Sequence, residues 1–395
     1  MSEQTIRAAI VGCGVIGRHH AQVLAAHPRF EVTALVDTTT ATADDVADLI
    51  ATGPGVLRPA VLTTLDEVLV RGDVDLVVVC TPSGTHLDLA TEAVTAGLHT
   101  VVEKPLDVDV AKGRRFADLA ADAATRGIHV SVISQHRFDP ASLAVHRAIE
   151  GGRFGRIASA VASIAWWRSQ DYYDGGDWRG TWALDGGGAV MNQGVHTVDL
   201  LCWFLGRPID VHAYTGLLAH ERLEVEDTAV ATVRFESGAL AVVHATTAAY
   251  PGLSVRLQVH GSTGSAVIDS DRLEYFHAAD AAAADTSAYG AITGGDVTGN
   301  LAESEVGFDE TTAGPRKDDA FLTGHSRQYD NIAASIDTGA PPGVSVEDAL
   351  LSVALVRAIY LSSTLGQAIV VDDVLAGRYD STPVHTGSAK TGSPS

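Results

Sequence analysis

The run Gly12-Cys13-Gly14-Val15-Ile16-Gly17 stands between an apolar stretch, Ala8-Ala9-Ile10-Val11, and a helical pattern. In that setting G-x-G-x-x-G points to dinucleotide binding. The first glycine permits the tight turn, the second lets backbone amides reach a pyrophosphate, and the third lets helix and strand pack closely. Asp37, 20 residues beyond Gly17, ends the next apolar run, where a carboxylate can accept hydrogen bonds from the adenosine ribose hydroxyls. A 2'-phosphate would meet like charge there, and Thr38-Thr39-Thr40 offers no arginine to offset it, so NAD is the expected cofactor rather than NADP. The competing reading of Asp37 is a helix N-cap, which is compatible with the ribose role.

Two further clusters, distant in sequence, carry groups able to move protons. Glu103-Lys104-Pro105 closes the apolar run Thr100-Val101-Val102, so Lys104 falls at the carboxyl end of an expected parallel strand, where open α/β sheets bind ligands. The chain has only four lysines. The ordinary reading of a strand-end lysine is a solvated charge; Pro105 is read as a site where a cis bond could aim the ammonium. The second cluster runs from Asp185-Gly186-Gly187-Gly188 to His196 and Asp199. With a helix from Val190, Asn192, His196 and Asp199 fall at i, i+4 and i+7 on one face, and the adjacent glycines suggest close approach by a ligand. The bland alternative for His196 is a satisfied core histidine.

Four of the five tryptophans and two tyrosines fall within Trp166–Trp182, interleaved with Arg168 and Arg179. Trp166, Tyr172 and Trp178 could stack on the C–H faces of sugar rings, while the arginines could hold a carboxylate, sulfonate or phosphate. A dimer interface would be rich in the same residues. His136, beside Arg137, and His325 are weaker candidates for substrate contact.

These groups need elements to position them. At 395 residues the chain calls for about two domains. From Ile6 to Arg137, short Val/Ile/Leu-rich runs alternate with helical patterns, as in a doubly wound parallel sheet covered on both faces. After Arg156, alternating strands are joined by hairpin turns, clearest at Ala229–Phe235 and Ala239–Ala245 around Glu236-Ser237-Gly238. Ser254–His260 and Ser265–Asp269 form another such pair. The fold class is thus α/β plus α+β: an amino-terminal Rossmann domain, 1–137, then a domain on a large, mostly antiparallel open sheet, 138–380. Helices are expected near Val190–Phe204, Ser326–Asp337 and Val346–Gly366, the last packing back near the first domain. Ala278–Asp319 reads as a long surface loop and 381–395 as a disordered tail.

With 27 basic and 49 acidic residues the net charge is −22, which disfavours nucleic acid and anionic lipid surfaces as partners. No apolar run is long and uninterrupted enough to span a bilayer, so no membrane association is expected. Cys13, Cys80 and Cys202 lack metal-ligand spacing and are read as free thiols; no metal is expected, and the amino terminus lacks a secretory pattern. A cytoplasmic location follows as an expectation.

Taken together, the glycine motif with Asp37, the stretch Cys80-Thr81-Pro82-Ser83-Gly84-Thr85-His86, Glu103-Lys104-Pro105, and Gly186-Gly187-Gly188 through His196-Thr197-Val198-Asp199 resemble the glucose-fructose oxidoreductase, inositol dehydrogenase and rhizopine catabolism (Gfo/Idh/MocA) family. The motifs follow the family's order across both halves. The resemblance implies a Rossmann domain in which Thr81, Pro82, His86 and Glu103 join the glycine turn in holding the cofactor. It implies a carboxy-terminal domain whose open sheet forms the substrate cleft and commonly a homo-oligomer interface, giving a dimer or tetramer. Lys104 and His196 are then the acid/base pair, with hydride passing between a sugar ring carbon and the nicotinamide. The aromatic segment is thereby placed at the active site. Many family members carry aspartate where this chain has Asn192, and an amide cannot ionise, so Asn192 is assigned to hydrogen-bonding substrate hydroxyls. Some relatives are glycosidases that oxidise a ring carbon transiently, eliminate the aglycone, add water and reduce again, and this is the alternative activity.

Overall fold

Continuous apolar runs in the first third of the chain form six parallel strands: β1 (Ile6–Val11), β2 (Phe30–Val36), β3 (Ala60–Leu62), β4 (Leu76–Val79), β5 (His99–Val102) and β6 (Val130–Val132). Their order is β3-β2-β1-β4-β5-β6, the doubly wound arrangement of a Rossmann domain. Ala8, Ile10, Leu76, Val77 and Val78 are fully buried, as expected of strands covered on both faces. The computed structural model describes residues 4–52, 57–176, 178–279, 299–315 and 319–386.

The chain divides into two compact units that are not contiguous in sequence. The first contains 1–135, 183–186 and 318–353; the second contains 136–182, 187–317 and 354–395. This differs from the single break expected near residue 137. The physical reason is a core debt in the first unit that a late segment fills: the helix Ala320–Thr338 brings Tyr329, Ile332 and Ala333 into the same hydrophobic cluster as Leu24, Phe30 and Leu35. Leu350, from the start of the helix Val346–Leu365, lies against the site of Gly113, and Ser131 donates to the Val344 carbonyl.

The second unit is built on eight strands: β7 (Ile157–Ala165), β8 (Pro208–Gly216), β9 (Thr228–Phe235), β10 (Leu240–Thr246), β11 (Val255–Gly261), β12 (Gly264–Asp269), β13 (Arg272–Ala278) and β14 (Ile369–Val370). They run in the order β13-β12-β11-β7-β10-β9-β8-β14, with only the β7–β10 pair parallel. Along β9 every second residue is buried, the period of a sheet with one face on the core.

Several expectations need adjustment. The helix read from Val190 begins instead as a π turn, Ala189–Gly194, and becomes α-helical only over Val195–Leu205. Most of the expected loop 278–319 lies outside the described residues, but a short helix, Ala302–Val306, sits within it. Of the expected tail, 387–395 lies outside the described residues, whereas the Thr382 carbonyl accepts from Arg357 and Thr386 Oγ1 donates to the Glu224 carbonyl. Val346–Leu365 is long and apolar enough to cross a membrane by length and composition, but it is mostly buried in the protein and carries Glu347, Asp348 and Arg357. Cys13, Cys80 and Cys202 form no disulfide with one another, and burial pushes the Cys13 thiol up to about 12.

Candidate active site

In the first unit the glycine turn follows β1 and opens the helix Val15–Ala26. Gly12 has φ +93°, and a Cβ there would lie 2.7 Å from the Cys80 carbonyl oxygen; one on Gly17 would strike the Gly12 carbonyl. Gly14, the helix N-cap, has nothing within 4 Å of the same position and brings no side-chain cap. The turn is therefore closed behind and open in front, which fits a pyrophosphate approaching the helix amino terminus. Asp37 accepts from the Cys13 amide and the Thr39 amide, both at 2.9 Å, and stays half-buried. It ties the end of the second strand to the glycine turn. Thr39, not Asp37, is the N-cap of the following helix, so the capping alternative is set aside.

The motif residues after β4 divide by environment. Thr85 Oγ1 donates to Thr81 Oγ1 at 2.8 Å, and Pro82 is exposed. His86 is buried, with Nε2 2.8 Å from the Thr81 carbonyl and Nδ1 2.8 Å from that of Pro105. It links the loop after β4 to the residue following Lys104.

Glu103 is also buried. Its Oε1 accepts from His20 Nε2 at 2.8 Å, and its Oε2 accepts from the Lys104 amide at 3.0 Å. Because His20 Nε2 carries the proton, its Nδ1 accepts from the Tyr329 hydroxyl at 2.7 Å. Burial pushes the Glu103 carboxyl up, but the hydrogen bonds and charge of His20 and His325 more than offset this and hold it well below the usual carboxylate range. Burial lowers His20 against the opposing pull of Glu103. His325, expected as a substrate contact, is buried in this network, its Nδ1 donating to the Phe321 carbonyl at 2.9 Å and its Nε2 3.8 Å from Glu103. Lys104 itself is half-buried, and its bond to Pro105 is cis.

The second unit gathers most remaining candidates. Arg137 makes a bidentate, buried pair with Asp199, both bonds at 2.7 Å. Asp199 is thus a structural anchor rather than part of a polar stripe with Asn192 and His196; the π turn also breaks the helical spacing that would have aligned the three. The anchor fixes the neighbouring residues: His136 meets His196 edge to face, ring centres 5.0 Å apart. The Nδ1–H of His136 is shared between Asp139 at 2.8 Å and Asp271 at 3.1 Å.

Asn192 Oδ1 accepts from Gln193 Nε2 at 3.1 Å, and Gln193 Oε1 accepts from Arg168 Nη2 at 2.8 Å. The Arg168 guanidinium lies over Trp166 and Tyr172, and that of Arg179 over Tyr172 and Trp178, all at 4.7–5.2 Å from the ring centres. Sequence reasoning overlooked Gln193, although it adjoins Asn192. It also overlooked Glu226, whose carboxylate accepts from the Gly188 and Val190 amides and the Tyr360 hydroxyl. A Cβ on Gly188 would lie 1.7 Å from the Glu226 carbonyl oxygen. Gly188 therefore makes room for the Glu226 backbone and Gly187 for the Tyr360 hydroxyl, while Gly186 lies against the Val108 side chain. Nothing in the local sequence of Glu226 marks it for this role.

A Rossmann sheet ending in this glycine turn, with Asp37 beside it, is the build of an NAD-binding oxidoreductase. The chain belongs to the GFO/IDH/MocA family: residues 6–132 match the oxidoreductase family's NAD-binding Rossmann fold and 142–267 its C-terminal domain. Among curated relatives, inositol 2-dehydrogenase of Rhizobium meliloti (strain 1021) is 25% identical over 362 residues, covering 90% of this chain and 96% of that protein. Among solved structures, the WlbA dehydrogenase of Bordetella pertussis in complex with NADH and UDP-GlcNAcA shares 32% identity at a TM-score of 0.77, covering 94% of this chain and 99% of that one. GenD2 from gentamicin A biosynthesis, in complex with NAD, shares 27% identity at a TM-score of 0.73, covering 93% and 96%.

Proposed function

We propose that the protein is an NAD-dependent dehydrogenase that oxidises a ring hydroxyl of a sugar or acidic sugar derivative. The observation that carries this is His196, half-buried at the start of its helix, with the His136 ring against it and the polar side chain of Asn192 on the preceding turn. An imidazole so held can take the proton of a hydroxyl. Relatives named for inositol and bound to UDP-GlcNAcA support a ring alcohol as the substrate. Bound NAD supplies the hydride acceptor. Lys104 is the partner acid, donating a hydrogen bond to the oxygen that loses its proton to His196. Its backbone is held through the Glu103 carboxylate, and Asn192 bonds a neighbouring hydroxyl.

A homo-oligomer assembled through the eight-stranded sheet is part of the same proposal. Tyr214, Val230, Leu240 and Val242 are exposed on its strands, with Tyr214 directly opposite Val230, an apolar presentation that favours a partner.

The test is the purified chain with NAD and a panel of cyclitols, aldoses, uronates and aryl glycosides, followed by NADH absorbance. NADH formed in proportion to substrate consumed is the expected result. Release of the aryl group with no net NADH would replace it with the redox-neutral glycosidase.

A further inference from the structure

Resting on the dehydrogenase reading above, we propose that Arg168 and Arg179, arrayed around Tyr172, form the recognition site for an anionic group on the substrate, a carboxylate or phosphate oxyanion. Among the described residues many arginines of this acidic chain take a carboxylate: Arg7 with Asp75, Arg58 with Asp44, Arg137 with Asp199, Arg234 with Asp210. Arg168 and Arg179 do not. The described partners of Arg168 are the Trp167 carbonyl and Gln193 Oε1; that of Arg179 is the Tyr172 carbonyl at 3.4 Å. Asp174, on the same short helix as Tyr172, is taken by Arg222 at 2.7 Å.

Both Nε–H groups are buried and have no hydrogen-bond partner. A buried donor without an acceptor is costly, and two guanidinium ions sharing one aromatic ring repel each other, so the arrangement calls for an anion. The Nε and Nη2 groups of Arg179, neither with a described partner, form the edge of a guanidinium that receives two oxygens of a planar or tetrahedral anion. Stacking on Trp166, Tyr172 and Trp178 fixes the planes of the guanidinium groups.

The array is rigidly mounted and joined to the catalytic helix. The Arg168 amide donates to the Thr247 carbonyl at 2.9 Å, and the Arg168 carbonyl accepts from His220 Nε2 at 2.8 Å. Gln193 spans from Arg168 to Asn192, four residues before His196, and also donates to the Tyr172 hydroxyl at 3.4 Å. An oxyanion on the guanidinium groups is thereby referred, through Gln193, to the side chain assigned to substrate hydroxyls. Gln193 is a positioning residue in this scheme, and the arginines determine specificity.

The experiment is calorimetric titration of the NADH-loaded full chain with D-glucuronate, its neutral methyl ester, glucose 1-phosphate and UDP-glucuronate. At least one anionic ligand should bind about tenfold or more tightly than the neutral ester. Preference for glucuronate over glucose 1-phosphate identifies a ring carboxylate; the reverse identifies phosphate. Arg168→Leu and Arg179→Leu should abolish the anion preference with NADH affinity retained, and Arg179→Lys, which keeps charge but loses the fork, should restore part of it. Equal binding of ester and anions, no measurable anion binding, or a preference that survives in both leucine variants would overturn the proposal. Arginine-dependent anion binding by a protein that reduces NAD with none of the sugars would instead sink the dehydrogenase reading and leave this one standing.

Discussion

His20 Nε2 donates to Glu103 Oε1 across 2.8 Å with both side chains buried, and the other oxygen of the same carboxylate receives the Lys104 amide. Removing the imidazole takes a hydrogen-bond donor from a buried carboxylate, which costs about 1–3 kcal/mol or more. His20→Ala should therefore lower the first unfolding transition markedly, and His20→Gln, which keeps a donor, should lose less. The pH dependence follows from both groups being held below their ordinary values. As pH falls below 6.5, the ordinary value for histidine, the unfolded chain takes a proton at His20 that the folded chain refuses; at lower pH Glu103 adds to the loss. Thermal melts from neutral pH to pH 5 should show wild type losing stability faster than His20→Gln. Identical slopes would refute the coupling.

Lys104→Ala and His196→Ala should each reduce kcat at least about a hundredfold, while leaving NAD affinity within a few-fold. Stopped-flow hydride transfer and NADH fluorescence titration separate the two. A wild-type rate in either variant removes that residue from the acid/base pair.

Asp37→Ala should weaken NAD and narrow the preference over NADP, because the carboxylate that would repel a 2'-phosphate is gone. It should also cost stability, since Asp37 anchors the Cys13 and Thr39 amides. Asp37→Asn keeps an acceptor for only one of those two amides, since they bind different carboxylate oxygens, and should change cofactor preference with a smaller loss of stability than Asp37→Ala. Steady-state kinetics with both cofactors provide the check; an unchanged ratio would remove the ribose contact.

The glycine turn and the two sheets were legible because each depends on local spacing: three glycines at fixed offsets, apolar runs for the buried parallel strands, alternation for the half-covered sheet. The discontinuous first unit was not, since the need for Tyr329 and Ile332 in the cluster around Leu24 is visible only once helix Val15–Ala26 is folded. The helical face drawn through Asn192, His196 and Asp199 failed for a similar reason. A π turn is stabilised here by Glu226, more than thirty residues downstream, and Asp199 is claimed by Arg137, so the period that looked regular in sequence is interrupted by tertiary partners.

Glu226 gives a pH dependence of opposite sign to that of His20. Burial raises its carboxyl to about 7 from an ordinary 4.5, with the amides of Val190 and Gly188 and the Tyr360 hydroxyl resisting the rise. Between pH 4.5 and 7 the unfolded chain releases this proton while the folded chain holds it, so the stability contributed by protonated Glu226 is full at low pH and is lost as pH rises. The shift corresponds to about 3 kcal/mol. Glu226→Gln cannot titrate, so the stability of wild type relative to the variant should decline as pH rises through this window and level off above it. The variant also loses one acceptor for the amides at Gly188 and Val190, an offset nearly independent of pH. Chemical denaturation of both proteins at half-unit pH steps would measure the difference. A gap that stays flat from pH 4.5 to 8 would mean that Glu226 is already ionised in the folded protein across that range.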